Sequence, residues 1–407
     1  MSLLILGLSV GLIISAVAQE SLESSKPIKI GGIFAITGGA SWLGEPERNT
    51  AVMYVEKINE KGGINGRQLE LIVEDTEGNE TKAVNAVNKL ITKDGVVAII
   101  GPSRSGVTMA VIPVMQRHKI PLISCAAAAV ITEPVEERKW IFKTPQLDSD
   151  AAIRIMEHIK ERGIKKIGII SGTTGFGDQG RKQLKKFAPE YDIEIVGDET
   201  YGPQDTDMTA QLKKIEEAGA KAIVNWSIVP AQSIVPKNMK QLGIDIPLYQ
   251  SHGFGNINFV KAAGEAAEGI IFPAGRLLVW EDLSDDHPQK KVLETYAKEY
   301  KEKFGDEPST FGGHAYDALF ILVDAMKRSD KITPANLRDA IEKTKNFVGT
   351  GGVFNYSEKD HTGLEKDAFA MLTVKDGEFT LLKKDMKEEK KEEKKEEKKE
   401  KNEYGKN

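Results

Sequence analysis

The chain of 407 residues is too long for one typical domain and suits two of middling size, and its 40% hydrophobic and 29% charged residues are those of a soluble globular protein. A net charge of -5 argues against a nucleic-acid-binding face, so no nucleic-acid partner is expected. Cys125 is the single cysteine, which excludes an intrachain disulfide and leaves the fold to be held by its cores.

Residues 1 to 19 carry no charged side chain, and Leu3 to Ile14 form an apolar run followed by Ala16-Val17-Ala18. This is the hydrophobic region and small-x-small cleavage site of a secretory signal, so 1–18 are expected to be removed and the protein exported to the periplasm or another extracytoplasmic space. The alternative is an uncleaved membrane tether, for which the run falls short of the ~20 residues that span a bilayer. No cysteine lies directly after the apolar run, so no lipid-modified N-terminus is expected.

From Ile28 apolar runs alternate with amphipathic stretches, the pattern of an α/β fold with helices on both faces of a parallel sheet. Strands are predicted near 28 to 35, 68 to 74, 96 to 100 and 120 to 124, with helices near 45 to 61, 80 to 93 and 106 to 118. Within this lobe the β-α-β unit Val96 to Ala129 places two loops, Pro102 to Ser105 and Ser124 to Ala129, at one sheet edge, because a right-handed crossover makes its strands parallel. Ligands of open α/β sheets settle outside that carboxyl edge. Ser103 and Ser105 offer hydroxyls there, the start of the helix offers N–H groups, and the small side chains of Ala126, Ala127 and Ala128 let a ligand approach the main chain. Ordinary turns would look the same from either loop alone.

A second series follows Thr144-Pro145: helix 148 to 162, strand 165 to 171, helix 177 to 188, strand 192 to 197, helix 207 to 218, strand 221 to 225, helix 231 to 242 and strand 246 to 250. After Phe272-Pro273 come three helices near 288 to 304, 311 to 328 and 334 to 344, then short strands near 348 to 355, 368 to 374 and 378 to 382. The late helices have no sheet of their own and are expected to return to the first lobe, so that the chain crosses between lobes and makes a hinged cleft. From Lys383 the tail repeats Lys and Glu with a period of four, which sets like charges at i and i+4 and predicts a solvated, disordered extension over 383–407.

Several constellations suggest chemistry and are weighed against plainer readings. Gly175-Phe176-Gly177-Asp178-Gln179-Gly180 fits G-x-G-x-x-G after a strand, but Gly172, Thr173 and Thr174 separate it from the strand end, too long a loop for a dinucleotide turn. It reads instead as a Gly-rich helix entrance that points Phe176 into the cleft. The six histidines show no ligand spacing, and no G-x-S-x-G elbow is present, so neither a metal, a cofactor nor catalysis is expected. His252 follows the strand ending at Gln250 and Trp226 the strand ending at Asn225, which puts both at the second lobe's carboxyl edge. Each can face ligand, or else be a solvated loop histidine and a core tryptophan.

Taken together, IKIGGIFAITGGASWLG, INEKGGINGRQLELIVED, the GPSRSG loop, IPLISCAAAA, GIISGTTGFG, GHAYDAL and GTGGVFNY resemble the type I periplasmic solute-binding proteins of ABC importers, in the branched-chain amino-acid-binding (leucine-binding protein-like) branch. The likeness covers about 28 to 382. It implies two Rossmann-like lobes in a hinged Venus-flytrap arrangement with three crossovers, no catalysis, and delivery of a small ligand to a membrane permease. The first lobe would comprise 26–145 plus about 275–350, and the second 146–274 plus about 351–382.

Carried over residue by residue, the resemblance puts the family's carboxylate site on Ser105 and the main chain of Ala126 and Ala128, its second-lobe aromatic on Phe176, and an entrance aromatic on Trp42 or Leu43. Two positions depart from the amino-acid binders: Ala128 stands where a hydroxyl residue is usual, and His252 where an acid pairs with the ligand's ammonium. An unpaired buried ammonium costs several kcal/mol. The expected ligand is therefore a small carboxylate with an apolar or aromatic body and no α-amino group, held by Ser105, main-chain amides and His252 or Arg104. A branched-chain amino-acid binder and the ligand-sensing domain of a receptor are the alternatives.

Overall fold

The computed structural model describes residues 26–382; the expected signal at 1–18 and the charged tail at 383–407 lie outside them. In chain order the first lobe contains β1 (Ile28–Phe34), α1 (Ser41–Glu60), β2 (Leu69–Asp75), α2 (Glu80–Lys89), β3 (Ile99–Ile100), α3 (Ser105–His118), β4 (Leu122–Ser124) and β5 (Ile141–Lys143). Its sheet has the order β2-β1-β3-β4-β5 with every pairing parallel. Strand alternation divides the core in two. Ile30, Phe34, Ile100, Ile123 and Phe142 lie in one cluster, and their neighbours Ile33, Ile99, Leu122 and Ile141 lie in another with Val87, Val111 and Met115 of α2 and α3.

The second lobe contains α4 (Asp148–Glu161), β6 (Lys166–Gly172), α5 (Gly175–Phe187), β7 (Glu194–Tyr201), α6 (Thr209–Glu217), β8 (Ile223–Trp226), α7 (Ile234–Leu242), β9 (Leu248–Gln250), α8 (Ile257–Ala263) and β10 (Ile271–Ala274). Then follow α9 (Lys290–Phe304), α10 (Thr310–Arg328), α11 (Pro334–Glu342), the hairpin β11 (Phe347–Val348) and β12 (Val353–Phe354), and finally β13 (Ala370–Lys375) and β14 (Glu378–Leu381). The second sheet runs β14-β13-β10-β9-β8-β6-β7; β10 to β7 pair in parallel as expected, and β13 and β14 add to its edge antiparallel.

Leu293, Leu319, Leu322 and Leu337 of the late helices share the first-lobe core with Ile30 and Ile100. The chain crosses first after Lys143 and again after Ala274. The third crossing lies later than the expected 351: Phe354, Tyr356, Leu364 and Ala368 pack in the first-lobe core, and Phe369 is the residue that joins the second. The predicted strand near 348 to 355 is in fact the β11–β12 hairpin, and two short strands, β5 and β10, escaped prediction; Pro273 inside β10 reads locally as a strand breaker. Gln146 on the first crossing donates to Gly351 O at 2.7 Å, which ties it to the hairpin.

The lobes touch across the cleft. Trp42 of α1 packs edge-on against Phe259 of α8 with ring centroids 5.1 Å apart, and Thr310 N donates to Gly255 O at 3.2 Å. This is a closed arrangement. Among the described residues no helix is long and apolar enough to cross a membrane.

Candidate functional site

The first-lobe half of the cleft is built by the ends of β3 and β4. Arg104 has extended backbone and Ser105 opens α3, so the helix N-terminus faces the loop after β4. Thr108 Oγ1 and Ser124 Oγ share a hydrogen bond of 2.9 Å that locks the two loops together. Ser124 Oγ then accepts from Ala126 N at 3.1 Å, and Ser105 Oγ accepts from Ala128 N at 3.4 Å. The last contact is long for a hydrogen bond, and an anion that takes the Ala128 N–H and the Ser105 O–H in its place makes two charge-assisted bonds. Ala129 N donates to Asp148 Oδ1 at 3.0 Å, while Ala127 N has no partner among the described residues.

Two expected ligand groups are engaged elsewhere. Ser103 Oγ accepts from Ala35 N at 3.0 Å and donates to the buried Glu47 carboxyl, so it braces α1 against β1. Burial raises the Glu47 pKa well above the carboxylate range, opposed by that hydrogen bond. Arg104 turns its guanidinium to Gly78 O at 3.3 Å, away from the alanine loop. Ser105 and the loop Ala126 to Ala128 remain together at this sheet edge. Leu43 is buried in the apolar cluster that also holds Ala127 and Phe176, so apolar surface is continuous from one lobe to the other. Trp42 is half-buried and its Nε1 has no partner.

The second-lobe half explains the glycine motif without a nucleotide. Thr174 caps α5 by accepting from Gly177 N at 3.1 Å. A Cβ on Gly175 would come 2.9 Å from Gly106 N of the other lobe, one on Gly177 1.8 Å from Gly172 O, and one on Gly180 2.0 Å from the indole of Trp226. The three glycines thus serve lobe closure, the helix entrance and the seat of Trp226. Trp226 is fully buried and stands behind Phe176, at 5.8 Å between ring centroids, as the core of this wall.

His252 lies in an aromatic box, its ring 5.1 Å from Phe176, 5.7 Å from Trp226 and 5.4 Å from Phe369. It is 8% exposed, and neither ring nitrogen has a hydrogen-bond partner. Burial, with smaller contributions from Lys143 and His314, lowers its pKa from 6.5 to about 3, so the ring is neutral at physiological pH. Because the unfolded chain holds the extra proton between those two values, stability through this residue is intact above pH 6.5 and falls as the pH drops toward 3, by about 1.4 kcal/mol per unit. His252→Gln is therefore expected to close the gap to wild type, or open one in its own favour, by about 2 kcal/mol between pH 7 and pH 5. Urea titrations at both pH values check this, and a gap that stays constant contradicts it.

Three further residues of this region carry no signal strong enough to single them out in the sequence. Phe369 completes the aromatic box from the far end of the chain. His314, inside GHAYDAL, is 7% exposed, its Nδ1 is unpartnered, and burial lowers its pKa to about 3. Lys143 is fully buried and donates to Ala127 O at 2.9 Å, Pro145 O at 2.7 Å and Gln146 O at 3.1 Å. A lysine directly after the apolar pair Ile141-Phe142 was its only trace.

Known proteins share the fold. The chain is 26% identical over 335 residues to the leucine-, isoleucine-, valine-, threonine- and alanine-binding protein of Pseudomonas aeruginosa, covering 82% of this chain and 86% of that one. Its structure resembles an extracellular ligand-binding receptor from Rhodopseudomonas palustris HaA2 with a TM-score of 0.82 at 30% identity, covering 88% of this chain and 99% of the other. It also resembles the branched-chain amino acid transporter substrate binding protein LivJ of Streptococcus pneumoniae in complex with isoleucine, with a TM-score of 0.75 at 27% identity, covering 87% and 97%. Residues 27–378 match the periplasmic binding protein family, and this chain belongs to it.

Proposed function

We propose that the protein captures a small monocarboxylate with an apolar or aromatic body between its lobes and hands it, outside the cytoplasmic membrane, to the permease of an ABC importer. The observation that carries this reading is His252: a neutral, unpartnered imidazole in an aromatic box, where an amino-acid binder needs an anion for the ligand's ammonium. The cradle opposite, Ser105 with the amides of the alanine loop, has the donors a carboxylate requires.

A second reading, a branched-chain amino-acid binder, is supported by one observation besides the relatives' names. Asp148 Oδ2 is buried and unpartnered, next to the alanine loop that Oδ1 holds. Against it, the Lys143 cation acts on the same carboxyl and lowers its pKa, while the stronger effect of burial raises it to about 6.

Ser105→Ala tests the cradle. It is expected to weaken binding of the keto acid of leucine, measured by calorimetry, by about 1 to 3 kcal/mol, the loss of one hydrogen bond to a charged group. Unchanged affinity would place the carboxylate elsewhere.

A further inference from the structure

His314 and His252 present the same anomaly from opposite lobes. Each is more than nine-tenths buried, and the ring nitrogens His252 Nδ1, His252 Nε2 and His314 Nδ1 have no hydrogen-bond partner. Buried polar groups in a native fold are almost always paired, so unpaired ones in a ligand cleft mark positions that a ligand satisfies. The backbone brings the two together. The loop that starts at Ser251 docks on the first turn of α10, where Thr310 N and Oγ1 both donate to Gly255 O at 3.2 Å, and His314 lies one turn further along the same helix. The carbonyl of His314 accepts from Thr144 Oγ1 at 2.9 Å, which anchors its backbone to the first crossing.

We infer that His314 and His252 form a second polar anchor in the closed cleft, which selects carboxylates bearing an uncharged hydroxyl group remote from the carboxyl. This rests on the carboxylate reading above. The chemistry of the anchor excludes the other candidates for the far end of the ligand. A neutral imidazole has one donor and one acceptor nitrogen, and a hydroxyl both donates and accepts, so one hydroxyl can engage a nitrogen of each kind. A second carboxylate would require an imidazolium, which burial and the nearby Lys143 cation both oppose, and an ammonium would meet that same cation. An apolar end would leave the ring nitrogens desolvated and unpaired. The surrounding rings of Phe176, Phe369 and Phe311 fit the apolar body between the two polar ends.

The test is calorimetric titration of the whole protein with benzoate, meta-hydroxybenzoate and para-hydroxybenzoate. At least one hydroxylated acid is expected to bind about tenfold tighter than benzoate or better, because a site built around a hydroxyl rejects the analogue that lacks it. His314→Phe is expected to reduce that ratio to below about threefold, and His314→Gln, which keeps a donor and an acceptor, to preserve most of it. Wild-type protein that binds benzoate as tightly as both hydroxylated acids overturns the anchor alone, as does a ratio that survives His314→Phe. Absence of binding by every acid, hydroxylated or not, overturns the carboxylate reading as well. If His314→Phe fails to fold, as its melting temperature would show, the wild-type ratio and His314→Gln still decide the matter.

Discussion

Trp226→Ala is expected to lower the stability of the protein by about 3 to 5 kcal/mol and to remove ligand binding with it. The indole is fully buried at the end of β8, in a seat that exists because Gly180 has no side chain. Truncation loses the transfer energy of the largest side chain in this lobe and leaves a cavity that β8 and α5 cannot close, since α5 is held by its Thr174 cap and by Gly177 against Gly172. Phe176 and His252 both rest on this ring, at 5.8 and 5.7 Å, so the cleft wall loses its backing. Urea denaturation measures the first effect and calorimetry the second. A loss below about 1 kcal/mol would show that the ring is not a packed core residue.

The second large effect concerns the hinge. Lys143→Met is expected to cost about 3 to 5 kcal/mol, because removing the buried ammonium leaves three carbonyls without their donor and the nearby acids without their counter-charge. The Lys143 ammonium uses its hydrogens on the carbonyls of Ala127, Pro145 and Gln146, and it acts on the buried Asp148 and the half-buried Asp150. Burial raises both acids to about 6, and Lys143 holds them back from rising further. Its bond to Ala127 couples the first crossing to the alanine loop, so the variant should also bind carboxylate more weakly than wild type at a temperature where both are folded. Equal denaturation midpoints and m values for the two proteins would contradict this account.

The family and the course of the first lobe were legible because strands alternate there with amphipathic helices, and β3 and β4 are apolar runs that end in glycine and serine. The proximity of Ser105 to the loop Ala126 to Ala128 was legible for the same reason: both follow strand ends, and topology alone places strand ends together. Ser103 and Arg104 misled because loop position does not reveal a side chain's partner; a buried carboxyl at Glu47 and a carbonyl at Gly78 claimed them. Phe369, His314 and Lys143 were hidden for a different reason. Each reaches the cleft through tertiary packing over a long stretch of chain, and no local periodicity encodes that. β10 escaped because four residues containing a proline look like a loop, until pairing with β13, Phe272 to Leu372, is seen.

The central claim is that the cleft accepts a carboxylate and refuses an α-ammonium. Leucine and its keto acid share the carboxyl and the side chain and differ at the α-carbon alone, so titrating both into the same protein isolates that one group. The account predicts that the keto acid binds at least about tenfold tighter than leucine, a lower bound on the several kcal/mol that an unpaired buried ammonium costs. Leucine binding as tightly as its keto acid, or more tightly, would contradict it and return the ammonium to Asp148.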